Sequence, residues 1–415
     1  MKRTPPRLTA IRSMTAASAM TALIAACGAP DDTPDTDIDI AALHQRILTL
    51  DTHVDIPLEY MDTVDPSTET DLQVDFAKMR DGGLDAAFFI VYTPQTEIGP
   101  ENYIEAREIA ETRMRAIEDM VTLYPDQIEL ALTADDVERI VAAGKLAALV
   151  GMENAYPLGP STDEVGMWAA RGVRYVGLTH FGANQFGDSS GTKDYESDDA
   201  LTTHGGLSDL GRELIGKLND FGIMVDISHA GDATAMQAIA LSRTPVIASH
   251  SGVDGVQDHA RNMSDTMLEA LRDAGGVVQL VALDVYIKAP TPEQQVALDE
   301  LYAQDGLSDD DRTAMRRRIF ATVPAATVSD YVDHIDYAVA RIGIDHVGIA
   351  SDFDGGGGIT GWEDASETET VTAELIARGY SEDDIAKIWG GNLLRVMRAV
   401  EAGADPAAVA AVTAQ

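Results

Sequence analysis

The sequence predicts an α/β fold, a closed (β/α)8 barrel of the TIM type, and three observations predict it. Eight short apolar runs, each of strand length, recur along the chain. Helical stretches lie between them, the alternation that builds a parallel sheet. No obvious break divides the repeats, so one closed sheet is expected rather than two domains. With 415 residues, 45% of them hydrophobic, the chain can fill such a core.

Residues 1–27 are set aside from the fold. Lys2, Arg3, Arg7 and Arg12 form a basic head, and Met14 to Ala26 is a mainly apolar stretch. It is shorter than the ~20 residues a transmembrane helix needs. It ends in Ile24-Ala25-Ala26-Cys27, which resembles a bacterial lipoprotein signal, with Cys27 as the lipidated first residue of the mature chain. Cys27 is the only cysteine, so no disulfide, cysteine nucleophile or zinc–thiolate site is expected. Residues 28–39, rich in Pro, Asp and Thr, read as a flexible tether, and 40–415 as a single barrel domain.

Ile47 to Leu50 is the first expected strand, running into Asp51-Thr52-His53-Val54-Asp55. On an extended backbone His53 and Asp55 point to the same side. An imidazole beside a carboxylate at a strand end suits a divalent metal such as zinc. Ala86 to Tyr92 is the second strand. Glu101 to Tyr124 carries Ile104, Ile109, Met114, Ile117, Met120 and Val121 at helical spacing, and Pro125 ends it. Leu146 to Val150, before Gly151-Met152-Glu153, is the third strand; Val173 to Leu178, before Thr179-His180, is the fourth. The helix from Leu207 to Phe221 buries Leu210, Leu214, Ile215 and Leu218, and Gly222 stops it. Ile223 to Ile227 is the fifth strand, ending in Ser228-His229. Pro245 to Ala248 is the sixth, ending in Ser249-His250, and Gly276 to Leu283 the seventh. A polar, helical insertion at about 288–326 reads as a lid or capping element. The helix from Ser329 to Arg341 then delivers the eighth strand, Val347 to Ala350, before Ser351-Asp352.

The formal net charge of −39 argues against nucleic acid and anionic membrane surfaces as partners, since phosphates would be repelled. It reads as a solvated acidic surface.

In a barrel of this kind the active site lies at the C-terminal ends of the strands. His53, Asp55, Glu153, His180, His229, His250 and Asp352 stand there, and four of the nine histidines close a strand. His44, His204, His259, His334 and His346 fall in loops, helices or strand starts. Imidazoles and carboxylates gathered on one face are costly unless paired or metal-bound. Seven groups exceed what one tetrahedral zinc needs. Two metals about 3.5–4 Å apart would use them, holding a bridging hydroxide and polarising a carbonyl. An amide would then be hydrolysed without a serine or cysteine nucleophile.

The motifs Asp51-Thr52-His53-Val54-Asp55, Gly151-Met152-Glu153, Leu178-Thr179-His180, Val225-Asp226-Ile227-Ser228-His229, Val246-Ile247-Ala248-Ser249-His250-Ser251, Arg261-Asn262 and Asp352-Phe353-Asp354-Gly355 resemble the membrane dipeptidase (renal dipeptidase) family of zinc peptidases. Gly391-Asn392-Leu393-Leu394-Arg395-Val396 is similar to that family's closing helix. The resemblance runs from about Ile47 to Glu401. It implies a zinc dipeptidase with two Zn2+ per chain, acting on dipeptides and leaving open whether those with a C-terminal D-residue are among them. It implies that His53 and Asp55 bind one zinc with Asp352 close by, that Glu153 bridges, and that His229 and His250 hold the second. His180 would stabilise the oxyanion, and Arg261 would pair with the substrate α-carboxylate, assisted by Tyr286. Asp352 would shuttle a proton to the leaving amine. A homodimer, lipid-anchored in a bacterial cell envelope, is the expected setting. The alternative keeps the metals and changes the substrate to a lactam, a lactone or an N-acyl amino acid. Two departures stand out. Asn154 follows the glutamate where many members carry glycine. Phe181 to Ser190 and the insertion after Leu283 differ from the mammalian pattern, where side-chain pockets are expected.

Overall fold

The computed structural model describes residues 38–191, 203–304, 306–307, 309–320 and 326–413. The expected leader, with Cys27, and most of the tether lie outside the described residues. Nine strands pair in parallel: β1 (Leu50–Val54), β2 (Ala86–Tyr92), β3 (Ile128–Leu130), β4 (Leu146–Glu153), β5 (Val173–Gly177), β6 (Met224–Asp226), β7 (Ile247–Ser251), β8 (Val277–Val281) and β9 (Val347–Ala350). Eight of them follow one another as β1-β2-β4-β5-β6-β7-β8-β9. A parallel bridge between Val54 and Phe353 closes the ring, supported by Asp55 N–H donating to Phe353 O (2.9 Å) and Asp352 N–H to His53 O (3.1 Å). This is the predicted (β/α)8 barrel.

The strands are near-continuous apolar runs because both faces are covered, one by the barrel interior and one by helices. Phe88, Ile90, Leu149, Met224, Ile247 and Val277 join Leu393, Leu394, Val396 and Met397 of the helix Asn392–Ala402 in one core. Asn392 ties that helix to the sheet, its Nδ2 donating to Val347 O (2.8 Å) and Ile344 O (2.7 Å). The helices start where the sequence places capping groups. Ser208 and Thr327 accept from the third residue of Asp209–Phe221 and Val328–Ile342, each cap worth about 1 kcal/mol. Gly222, at φ 68°, ends the first of these as expected.

Three strands end further along the chain than expected, while β5, β6 and β8 stop one or two residues short. β1 begins at Leu50 rather than Ile47 and runs through His53; β4 continues to Glu153; β7 runs from Ile247 through His250 to Ser251. The polar residues continue the ladder because their side chains turn into the barrel mouth, which an apolar-run criterion does not see. β3, unexpected from sequence, is three residues long and pairs only with Leu146 to Ala148 of β4.

Between β8 and β9 lies the inserted segment, built on the helices Pro292–Tyr302 and Asp309–Phe320. Leu298, Tyr302 and Ile319 pack on Leu283, Val285 and Tyr286, which seats the segment over one side of the barrel mouth. Among the described residues no helix is long and apolar enough to cross a membrane.

Candidate metal centre and active site

All seven strand-end groups meet at one mouth. A cavity of about 570 Å³ is bordered by Asp55, Glu153, His180, His229, His250 and Asp352, with Tyr92, Phe181 and Tyr286 in its walls. His53 is buried against it, its Nε2 lying 3.4 Å from Asp55 Oδ2, 3.5 Å from Glu153 Oε2 and 3.9 Å from Asp352 Oδ1. On the other side of Glu153, Oε1 lies 3.1 Å from His229 Nε2, 3.3 Å from His250 Nε2 and 3.9 Å from His180 Nε2. Three overlapping sets each bring ligand atoms within 4.8 Å of one another: His53, Glu153 and His250; Glu153, His180 and His229; His53, Asp55 and Asp352.

The second nitrogen of two imidazoles decides what the first can do. Tyr175 Oη donates to Thr52 O (3.1 Å), so it accepts from His53 Nδ1–H (3.0 Å). Ser249 Oγ donates to Asp226 Oδ2 (2.7 Å), so it accepts from His250 Nδ1–H (2.8 Å). These partners assign both neutral rings the tautomer with a lone pair on Nε2. His53 Nε2 is buried, without a hydrogen-bond partner, and faces three carboxylates. His250 Nε2 lies 3.0 Å from His229 Nε2. Lone pairs facing carboxylates at these distances are reconciled by cations, and the donor set of imidazole nitrogen and carboxylate oxygen suits a borderline metal. The residues fit a metal centre.

Electrostatics reinforce that reading. Burial opposes ionisation of Glu153, yet the imidazoles of His53, His180, His229 and His250 gathered around it hold it well below the usual carboxylate range. Burial lowers His229 and His250 well below an ordinary imidazole, with Arg261 adding to both. Burial pushes the Asp352 carboxyl up, and Asp55 and Glu153 push the same way against His53.

The local backbone is bent to present these groups. Among the described residues only Asn154, His229, Asp352 and Asp354 are non-glycine residues with positive φ, between 58° and 74°, and all four border the site. Asn154, in the place of the resemblance's glycine, adopts φ 74° because asparagine tolerates the left-handed region. Its Nδ2 donates to Thr93 O (3.0 Å), and its Oδ1 accepts from Tyr156 N–H (3.1 Å) and Asn184 Nδ2 (2.9 Å). Gly151 and Gly355 leave room: a Cβ on the first would overlap the Tyr175 ring, and on the second the carboxylates of Asp55 and Asp352.

His180 lies on the cavity wall, its ring centre 4.9 Å from Tyr92, 4.8 Å from Phe181 and 4.4 Å from His229. Tyr286, on the short helix Asp284–Ile287, also lines the cavity. Arg261 does not. It is buried, with Nη1 donating to Ser251 Oγ (2.8 Å) and Nη2 to His250 O (2.6 Å), and only Nε lacks a partner. The other histidines are spent elsewhere; His44, for instance, bonds Thr372 Oγ1 (2.7 Å) and Gly82 O (2.9 Å). Sequence reasoning gave no role to Tyr175, Asp226 or Ser249. Asp226 and Ser249 stand inside quoted motifs, two polar residues in buried strands, which was the available signal; Tyr175 reads as core. Nor did it reach Arg312, Arg316 and Tyr302 of the insertion, which also line the cavity.

The sequence profile of the membrane dipeptidase family (peptidase family M19) matches residues 38–410. "Dipeptidase tcpJ" of Claviceps purpurea is 31% identical over 346 residues, covering 82% of this chain and 72% of that protein. Among solved structures, the probable dipeptidase PvdM from Pseudomonas aeruginosa is 36% identical with a TM-score of 0.80, covering 88% of this chain and 98% of that one. A metallopeptidase from Rhodobacter sphaeroides, liganded with a phosphinate mimic of L-Ala-D-Ala, shares the fold at 22% identity and TM-score 0.69, covering 85% and 99%.

Proposed function

The chain belongs to the membrane dipeptidase family, and from that premise we propose that this metallo-dipeptidase works with two zinc ions, on dipeptides with a free C-terminal carboxylate. His53 and Asp55 would hold one ion with Asp352 beside it, Glu153 would be shared, and His229 and His250 would hold the other. Bound there, the ions would supply Lewis acidity and an activated water near neutral pH.

The chain's own residues do the rest. His180, on the cavity wall, donates through Nε2 to the oxygen of the scissile carbonyl as negative charge develops on it. Asp352, whose burial favours the protonated carboxyl, carries a proton from the attacking water to the leaving amine nitrogen. Arg261, through its unpartnered Nε–H, and Tyr286, 5.8 Å from the guanidinium at its ring centre, hold the substrate α-carboxylate. Phe181 and Tyr92 exclude water beside His180. The observation that carries this reading is the tautomer control: Tyr175 and Ser249 aim two Nε2 lone pairs at the carboxylate of Glu153.

The test joins metal analysis to kinetics on L,L- and L,D-dipeptides and their C-terminal amides. Two zinc per chain, loss of hydrolysis with chelator and its return with zinc are expected, with amides cleaved far more slowly. Equal cleavage of amides would remove Arg261 from its role, and activity without metal would remove the centre. We further propose anchoring through lipid on Cys27 in a bacterial cell envelope, and a homodimer. Cys27→Ala is then expected to release the protein from membranes, and light scattering to report twice the chain mass.

A further inference from the structure

The cavity that holds the metal ligands is also lined by cations, in a chain of net charge −39. Arg113 is fully engaged, its Nε donating to Ile56 O (3.1 Å), its Nη1 to Tyr92 O (3.0 Å), its guanidinium over the Tyr92 ring. Arg316, on the inserted helix Asp309–Phe320, bonds Gly356 O through Nη2 and has its Nε 3.6 Å from Asp284 Oδ1. Arg312, one turn earlier on the same helix, differs from both. Its Nε and Nη1 are buried and have no hydrogen-bond partner; Nη2 reaches Gln304 O only at 3.5 Å; and its guanidinium lies 5.9 Å from the Tyr302 ring centre. Among the described residues no carboxylate pairs with it.

A guanidinium with two buried, unpaired N–H groups costs free energy unless something brings an acceptor. Among the described residues the chain supplies none. The cavity is where the substrate enters. The substrate α-carboxylate has its own holder in the reading above, Arg261 and Tyr286, so the acceptor for Arg312 is a second carboxylate. We propose that Arg312 is a specificity-determining residue, and that this enzyme prefers dipeptides bearing an acidic side chain, whose carboxylate Arg312 grips through Nε–H and the Nη2–H on the same edge. The fork suits a carboxylate bidentately, and the Tyr302 ring holds the guanidinium plane. The proposal rests on the dipeptidase reading and deepens it.

The experiment measures kcat/KM on matched dipeptides that differ only as Glu against Gln, or Asp against Asn, at each of the two positions. The parent enzyme is expected to favour the acidic member at one position by about tenfold to a hundredfold, the range of a charge-assisted hydrogen bond. Arg312→Gln is expected to bring that ratio to within threefold of one, and Arg312→Lys to keep part of it. Arg318→Gln, an exposed residue of the same helix, serves as the control for disturbance of the insertion and leaves the ratio where it was. A parent ratio near one, a ratio unmoved by Arg312→Gln, or a ratio lost equally in Arg318→Gln overturns the proposal. So does an Arg312→Gln enzyme that loses its discrimination between free and amidated C-termini while keeping its acidic preference, because Arg312 would then serve the α-carboxylate. If no dipeptide is cleaved by the zinc-loaded parent, the underlying reading fails instead, and the two failures are told apart.

Discussion

The ligand rim and the inserted wall face the same cavity but are built differently. On the rim, each group projects from or just beyond a strand buried on both faces, and His53 and His250 are held at their far nitrogens by Tyr175 and by Ser249 with Asp226. The turns there keep His229 and Asp352 at positive φ, strain of about 1–3 kcal/mol apiece that only a rigid surround sustains. The wall is two helices and their joints, resting on the barrel through Leu298, Tyr302 and Ile319, with the Arg312 guanidinium left to meet what enters. Chemistry sits where geometry cannot vary, and recognition sits where a few side chains can change without touching a ligand. If that division is right, substitutions on the two sides fail in different ways.

The largest effect is expected at the shared carboxylate. Glu153 lies within 3.5 Å of His53, His229 and His250, so Glu153→Ala removes a contact from both halves of the centre. Metal content is expected to fall to one ion or fewer, and kcat/KM by roughly three orders of magnitude or more. On the wall, Arg316→Gln is expected to keep the parental metal content. Inductively coupled plasma analysis of both proteins decides it, and a Glu153→Ala protein with a full metal complement would dissolve the distinction.

How far each side could be read from sequence follows the same line. The eight barrel strands and their ligand-type ends were legible because apolar runs of strand length repeat and six of the eight close on an imidazole or carboxylate. Their limits were less so: His53 and His250 sit inside β1 and β7, since side chains turned into a barrel mouth need not be apolar. β3 was too short to give a signal. Tyr175 was hidden because a tyrosine among valines reads as core, and nothing local reveals that its hydroxyl lies under His53. The insertion could be located but not interpreted. Its second helix is polar, with no apolar stripe to say which face looks inward, so Arg312 and Arg316 could not be told from exposed Arg318. The departure at Asn154 was visible, and its explanation needed the φ value and the bonds to Thr93, Tyr156 and Asn184.

The groups behind the ligands sharpen the comparison further. Tyr175→Phe leaves the ring in place but strips His53 Nδ1–H of its acceptor, and Ser249→Ala does the same to His250. Each change is expected to weaken zinc binding about 10- to 100-fold, the cost usual for lost outer partners of metal-bound histidine. A competition titration against a chromophoric chelator reads this directly. Affinities within a factor of two of the parent for both variants would mean that the barrel wall alone fixes the rings.

A smaller effect belongs to the joint between the two sides. His334, buried on the helix Val328–Ile342, accepts from Val253 N–H through Nδ1 (3.2 Å) and donates through Nε2 to Ile287 O (3.1 Å). Val253 lies in the loop that follows β7 and leads to Arg261; Ile287 ends the short helix of Tyr286, from which the insertion departs. The bond from Val253 needs the neutral ring, since Nδ1 must keep its lone pair. Burial lowers its pKa to about 4, with the bond to Ile287 and the charges of Asp333 and Asp330 pulling the other way. An unfolded histidine titrates near 6.5, so the unfolded chain binds the proton more tightly. The contribution to stability is therefore complete above about pH 6.5 and is lost as pH falls through 6.5 toward 4, about 2 kcal/mol of it between pH 7 and pH 5. His334→Gln can keep the donor to Ile287 and cannot titrate, so its denaturation midpoint should fall less than the parent's over that interval, whatever its stability at pH 7. Urea unfolding at the two pH values measures the difference of differences. Parallel losses in both proteins would show that the rim and the wall are joined by groups other than this imidazole.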